Sequence, residues 1–326
     1  MSFVPSFSDI ESAVDIIKDV VIETPLVESA ELNARMGGRI LLKAENLQRT
    51  GSFKFRGAYY RLALMTAAER AAGVVACSSG NHAQGVAAAA AILGIPAVIV
   101  MPADAPRIKI DNTRAYGAEV VTFDRLTENR EEIAGRIAAE RGSLFVPPYD
   151  DPHVIVGQGT AGLELMRQAA AQNASPDSIL VCCSGGGLAA GTALAAQGID
   201  PDVSIYVAEP QGFDDTGRSL RAGERLRNPA LGGSICDALM APMPGAVTFP
   251  INRHVIAGGV AVSDDEVRTA MRYAFGTLKL VLEPGGAAAF AAVLAGRVET
   301  RDRTIGVVLS GGNVDPGLYA AILAGM

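Results

Sequence analysis

Four short segments of this chain place reactive or anion-binding groups where backbone can approach a ligand closely. The first, Thr50-Gly51-Ser52-Phe53-Lys54-Phe55-Arg56-Gly57, sets Lys54 among glycines and aromatics where a helix is predicted to begin. An amine partly desolvated beside a positive helix N-terminus has a lowered pKa, the condition for a Schiff-base lysine to act as nucleophile and base. The second, Cys77-Ser78-Ser79-Gly80-Asn81-His82-Ala83-Gln84, joins an apolar strand to a helix. Hydroxyls and free backbone N–H groups there suit a carboxylate, and Asn81 can donate to a phenolate oxygen. The third, Cys183-Ser184-Gly185-Gly186-Gly187-Leu188-Ala189-Ala190-Gly191, is again a strand-to-helix junction, whose glycines let backbone amides close around a phosphate. The fourth, Leu309-Ser310-Gly311-Gly312-Asn313, follows the last predicted strand and offers a hydroxyl. Each has a plainer reading by itself: a surface lysine, a helix cap, a tight turn.

A rival reading exists for the third segment. Gly185-x-Gly187-x-x-Ala190 fits the dinucleotide fingerprint, and Glu209 follows at the end of the next strand, about 20 residues on. That pattern predicts an NAD-dependent dehydrogenase, which has no use for Lys54 or Ser310. Taken together, a lysine, an asparagine-bearing anion loop, a glycine cup and a terminal serine describe the attachment points of one ring carrying an aldehyde, a phenolate, a phosphate and a pyridine nitrogen. That ring is pyridoxal 5'-phosphate.

The elements that must position these segments alternate. From about Gly73, short β-branched runs and Ala-rich helical stretches repeat at the spacing of βα units, which makes this an α/β protein. Strands are predicted at Val74–Cys77, Ala97–Met101, Glu119–Phe123, Ile179–Cys183, Ser204–Ala208 and Thr304–Leu309. Most are apolar throughout, as parallel strands buried on both faces should be. Helices are predicted at Asn81–Leu93, at Glu128–Arg141, and from the cap Ser263 with its acidic first turn. The apolar run from Gly85 to Pro102 is read as a buried helix and strand rather than a membrane span, because Gly94 and Pro96 interrupt it. Pro147-Pro148 marks the best composition break. We therefore expect a small, mobile α/β domain over residues 73–149 and a larger domain built from residues 1–72 and 150–326.

With 326 residues, 49% of them hydrophobic and 19% charged, the chain can bury one large core or two moderate ones. A net charge of −7 and a pI near 5.1 argue against a nucleic-acid partner and for a small ligand. Cys77, Cys182, Cys183 and Cys236 lack metal-ligand spacing and read as buried reduced thiols. No secretory signal opens the chain, so a cytoplasmic location with no membrane association is expected.

The ordered motifs resemble the fold-type II pyridoxal-phosphate enzymes, specifically the threonine/serine dehydratase and serine racemase group. The resemblance runs from Thr24-Pro25-Leu26 through the Lys54, Asn81 and Ser184–Leu188 segments to Glu283-Pro284 and Ser310-Gly311-Gly312-Asn313. It implies two open twisted-sheet domains with the cofactor in the cleft between them, as in the tryptophan synthase β-like fold. It further implies that Lys54 bonds the cofactor, with Phe53 beside the ring and Asn81 on the phenolic oxygen. Ser184, Gly185, Gly186, Gly187 and Leu188 would hold the phosphate, Ser310 would face the pyridine nitrogen, and Glu283 would belong to the same cofactor site. Ser78, Ser79, Asn81 and His82 would receive the substrate carboxylate, with Arg130 as a further substrate-binding candidate.

Serine rather than aspartate at the ring nitrogen leaves that nitrogen largely unprotonated, which favours prompt β-elimination over transamination. The resemblance therefore implies an ammonia-lyase converting L-threonine, L-serine or a related 3-hydroxy-amino acid to a 2-oxo acid and ammonia. Ser79, where threonine-dedicated dehydratases carry alanine, keeps serine racemase or 3-hydroxyaspartate dehydratase/racemase activity open. Ala208-Glu209-Pro210-Gln211-Gly212-Phe213-Asp214-Asp215 resembles the racemases' divalent-cation site, with Glu209, the Phe213 carbonyl and Asp215 as oxygen ligands for Mg2+ or a similar ion; two acids capping the next helix is the plain alternative. The resemblance also implies a homodimer. The chain ends at Met326, without the family's regulatory domain, so end-product control is not expected.

Overall fold

A computed structural model describes residues 3–78, 80–105, 107–124, 127–230 and 232–325, the side chains of residues 108 and 109 aside. Two sheets organise it. Strands β1 (Leu26–Glu28) and β2 (Arg39–Lys43) begin the larger sheet; β3 (Val74–Cys77), β4 (Ala97–Pro102), β5 (Glu119–Phe123) and β6 (Leu144–Phe145) form the smaller one. The chain then returns to the larger sheet with β7 (Ser178–Cys182), β8 (Ser204–Pro210), β9 (Gly258–Val262) and β10 (Thr304–Val308). The orders are β1-β2-β10-β7-β8-β9 and β5-β4-β3-β6. Every pairing is parallel except β1 with β2.

The sequence patterns explain the layering. Every residue of β3, β4 and β7 is buried, because helices cover both faces of a sheet built from βα crossovers. Strand β5 is an edge, and its Glu119 and Thr122 are exposed. The six predicted strands are all present, two with the predicted bounds and four with ends shifted by one or two residues. Strands β1, β2, β6 and β9 were not expected: β1 and β6 are three and two residues long, and β9 opens with Gly258-Gly259. That glycine pair weakens the strand signal but is required, since a Cβ on Gly259 would lie 2.7 Å from the Gly217 Cα of a crossing helix.

The apolar run resolves into helix Asn81–Leu93, a left-handed Gly94 cap (φ 66°) and β4. No helix among the described residues is long and apolar enough to cross a membrane. Helix Arg130–Arg141 starts two residues later than expected, because Asn129 takes the N-cap and accepts from the Glu131 amide at 2.9 Å. Ser263 caps helix Asp264–Tyr273 through a reciprocal box with Glu266.

The strands of the smaller sheet all fall between Val74 and Phe145, inside the expected 73–149 segment. Its core continues into the rest of the chain: Phe55, Tyr59 and Leu62 of helix Lys54–Ala63 and Val154 and Leu163 of helix Pro152–Ala171 share one buried cluster with Val74, Ala76 and Val86. Close approach makes this possible, since a Cβ on Gly85 would sit 3.2 Å from the Lys54 carbonyl carbon.

Candidate active site

A cleft of about 190 Å3 opens at the C-terminal ends of strands from both sheets, where open α/β proteins bind ligands. Strand β3 brings Cys77 and Ser78 to its wall, β7 brings Cys182 and the glycine loop, and β10 leads into Ser310. All the cofactor and substrate candidates named from the sequence line this cleft, with one reservation: Ser79 lies outside the described residues.

Lys54 is the first residue of helix Lys54–Ala63, whose amides no side chain caps. Its Nζ donates to the Pro148 carbonyl at 2.5 Å and lies 5.1 Å from the Phe53 ring centroid. Burial lowers its pKa to about 8, against the opposing pull of Cys182 and Glu283. An amine in that state is deprotonated in part near neutral pH, unlike an ordinary lysine.

The glycine loop turns its carbonyls away from the cleft. Gly185 O accepts from Thr248 Oγ1 at 2.6 Å and Gly245 N at 3.1 Å, Gly186 O accepts from Asn252 Nδ2 at 3.2 Å, and Ser184 Oγ accepts from Ala241 N at 3.2 Å. Helix Gly187–Ile199 then begins with no side-chain cap, so its first amides suit an anion. Glycine is obligatory: Gly186 has φ 96°, and a Cβ on Gly185 would overlap the Tyr149 ring.

Asn81, Glu283 and Asn313 form a chain of side-chain bonds. Asn81 Nδ2 donates to Glu283 Oε1 at 2.5 Å, and Asn313 Nδ2 donates to Asn81 Oδ1 at 2.8 Å. The second N–H of Asn81 can still serve a ligand. Ser310 is 4% exposed, and its Oγ accepts from the Cys182 thiol at 3.1 Å.

The His82 imidazole is committed to the fold. Its Nε2 lies 2.9 Å from the Val146 carbonyl, which can only accept, so Nε2 carries the proton and Nδ1 is an acceptor. Burial, and then Lys54, lower its pKa to about 3. A neutral imidazole with its N–H already engaged has no side-chain donor for a carboxylate, leaving only its backbone amide. Arg130 opens its helix at the cleft edge with a half-exposed side chain.

Glu209, Phe213 and Asp215 stand apart from the cleft wall. Glu209 is fully buried, and its two oxygens accept from Thr216 N at 2.9 Å and Gly217 N at 2.8 Å. Both oxygens are thus engaged at the start of helix Asp215–Ala222 in place of ribose hydroxyls, which argues against the dinucleotide reading. Among the described residues no group of three or more His, Cys, Asp or Glu could hold a metal ion. A two-acid site with a carbonyl is still compatible: Asp215 Oδ1 accepts from Asn228 at 2.6 Å while its buried Oδ2 has no partner. Burial and the mutual charge raise Glu209 to about 8, and burial raises Asp215 to about 6.

Sequence reasoning passed over three parts of this wall. Tyr149 follows the Pro147-Pro148 break and was hidden by it; Asp237–Leu239 is a single turn without a motif; and Cys182 was read only as a buried thiol. Its place at the end of β7, directly before the glycine loop, was the available signal. The described residues bring a lowered-pKa amine, an amide cup, a carboxamide and a buried hydroxyl into one cavity, which fits the aldehyde, phosphate, phenolate and ring nitrogen of pyridoxal phosphate.

Comparison with known proteins agrees with this chemistry. The chain is 42% identical over 322 residues to an L-threo-3-hydroxyaspartate ammonia-lyase from Pseudomonas sp, covering 98% of this chain and 99% of the relative. It is 39% identical over 322 residues to a serine racemase from Schizosaccharomyces pombe, covering 98% of each. A solved threonine deaminase from T.th. superposes with a TM-score of 0.90 at 44% identity, over 95% of this chain and 99% of that one. Residues 17–311, which include Lys54, the glycine loop and Ser310, match the family described as pyridoxal-phosphate dependent enzyme, and the chain belongs to that family.

Proposed function

We propose that this protein is an ammonia-lyase acting on a small 3-hydroxy-amino acid, L-threonine, L-serine or 3-hydroxyaspartate, and releasing a 2-oxo acid and ammonia. One observation carries the reading: the buried Lys54 amine, its pKa lowered to about 8, faces the same cleft as the glycine loop and the Ser310 hydroxyl. When bound, pyridoxal phosphate supplies the electron sink that makes the substrate's α-hydrogen acidic. Lys54 would hold the cofactor, and its amine would take the substrate's α-proton. The amides of Gly185 to Leu188 hold the phosphate, Asn81 the phenolic oxygen, and Ser310 the ring nitrogen. Ser78, Ser79, Asn81 and the His82 backbone amide orient the substrate carboxylate, and Arg130 is suited to a second carboxylate such as that of 3-hydroxyaspartate.

A serine racemase reading is retained because Ser79 stands in sequence where threonine-dedicated dehydratases carry alanine, and a racemase stands among the relatives. We further infer a cytoplasmic homodimer with a mobile segment over residues 73–149. The four buried free thiols and the exposed apolar Leu47, Phe275 and Val281 support location and pairing respectively. The Glu209–Phe213–Asp215 corner is our candidate for a divalent cation.

A panel of L-threo-3-hydroxyaspartate, L-threonine and L-serine, scored by 2-oxo acid and ammonia release from the cofactor-loaded protein, tests the proposal; no release from any of them overturns it. Chiral analysis of serine with wild type and Ser79→Ala tests the racemase reading. Equal D-serine from both proteins removes the role of Ser79.

A further inference from the structure

Cys182 and Ser310 meet because the sheet order requires it. Strands β7 and β10 are parallel neighbours, with Leu180 opposite Val307, so the last residue of β7 lies beside the turn that follows β10. Both side chains are 4% exposed and both line the cleft. The next residue, Cys183, turns the other way to reach Thr216 Oγ1 at 3.3 Å, as strand alternation dictates. Both thiols border the cleft, and Cys182 is the one bonded to Ser310.

Its thiol donates to Ser310 Oγ at 3.1 Å. The main chain of Ser310 is already fixed, since its carbonyl accepts from Phe53 N at 3.1 Å and Gly311 bridges Ser52. The remaining freedom is rotation of the hydroxyl, which has one hydrogen and two lone pairs. A thiol donating into one lone pair directs that hydrogen away from the sulfur.

We propose that Cys182 is a positioning residue that makes Ser310 a hydrogen-bond donor, rather than an acceptor, toward the cofactor's ring nitrogen. A ring nitrogen that receives a hydrogen bond stays unprotonated; one facing an acceptor gains a proton. The thiol thereby helps to keep the electron sink weak, which suits elimination. Burial pushes the Cys182 pKa up to about 11, so the S–H is present throughout the working range. The inference rests on the reading that Ser310 faces the ring nitrogen.

The test compares four holoenzymes, wild type, Cys182→Ala, Cys182→Ser and Ser310→Ala, by the ring-nitrogen NMR shift of isotope-labelled pyridoxal phosphate and by the cofactor's dissociation constant. Cys182→Ala is expected to move the ring nitrogen toward its protonated value and to weaken cofactor binding about 2- to 10-fold, the worth of one neutral hydrogen bond. Its kcat should fall with KM little changed, and Cys182→Ser, which keeps a donor, should restore both readouts. A wild-type ring signal in Cys182→Ala beside a shifted one in Ser310→Ala overturns the role of Cys182 and leaves Ser310 standing. An unshifted Ser310→Ala overturns the placement of Ser310 and the inference with it. A shift in Cys182→Ala that serine does not reverse assigns the effect to packing and also overturns the proposal.

Discussion

Two basic residues two positions apart on one helix meet opposite fates. Arg56 is fully buried and bonds Glu45 at 2.7 and 2.8 Å and Glu164 at 2.6 and 2.7 Å. Lys43 joins through Glu164 at 2.7 Å, and Thr24 bonds Glu45 at 2.5 Å. Burial opposes the Arg56 charge, but the two carboxylates outweigh it and hold its pKa above the usual value. Lys54 is also desolvated, yet its hydrogen bond goes to a neutral carbonyl, so burial wins and the pKa falls. The lesson is that burial alone does not mark a functional charge. A buried charge with every partner supplied is architecture, whereas one left with a neutral partner is held ready to give up its proton.

Substitutions on the two sides should therefore separate activity from stability. Lys54→Ala is expected to lower 2-oxo acid release at least about a thousandfold and to abolish the Schiff-base absorbance near ~410 nm. Denaturant unfolding of the same apoprotein should show no loss of stability, because no ion pair is broken; a large loss would make Lys54 structural. Arg56→Met leaves Glu45 buried without its partner and should cost about 3–5 kcal/mol in urea unfolding. A loss under about 1 kcal/mol would dissolve the contrast.

The pH dependence sharpens it further. The folded pKa of Lys54, about 8, lies below its unfolded value of 10.5. Below pH 8 both states hold the proton and the folded apoprotein bears the full penalty; between pH 8 and 10.5 only the unfolded state does. Stability should rise across that window by roughly 3 kcal/mol from this group, and Lys54→Met should flatten the rise. The smallest expected effect lies at a third place. Millimolar Mg2+ should raise the apoprotein's Tm by a few degrees, as expected of a ligand that binds only the folded state, and Asp215→Asn should cancel the gain. No change in wild type would leave Glu209 as a helix cap alone.

Much of the site was legible because each βα unit advertises its own strand-to-helix junction. Ser78, Asn81 and His82, Ser184 to Leu188, and Ser310 follow predicted strands β3, β7 and β10, so their place at the C-terminal end of a strand needed no knowledge of distant contacts, whereas the meeting of the two sheets did. Strands β1, β6 and β9 were not legible, being short or glycine-led and paired by neighbours that the local pattern does not name. The tautomer of His82 was equally hidden, since it depends on the Val146 carbonyl 64 residues away.

The α/β class and the segments that line the cleft, Lys54, the Ser184–Leu188 glycine loop and Ser310, were readable from sequence because they depend on residue type and on neighbours a few positions apart. Only the tertiary structure decided which groups share bonds: Asn81 with Glu283 across 202 residues, Arg56 with Glu164 across 108, and Cys182 with Ser310 across 128. Those pairings follow from strand order and helix packing, which bring remote chain segments within hydrogen-bond distance. Burial lowers the pKa of both Lys43 and Lys54, yet folding ties Lys43 to the Glu164 carboxylate, Gln168 and the Thr24 carbonyl, whereas Lys54 faces the cleft with its hydrogen bond to the Pro148 carbonyl.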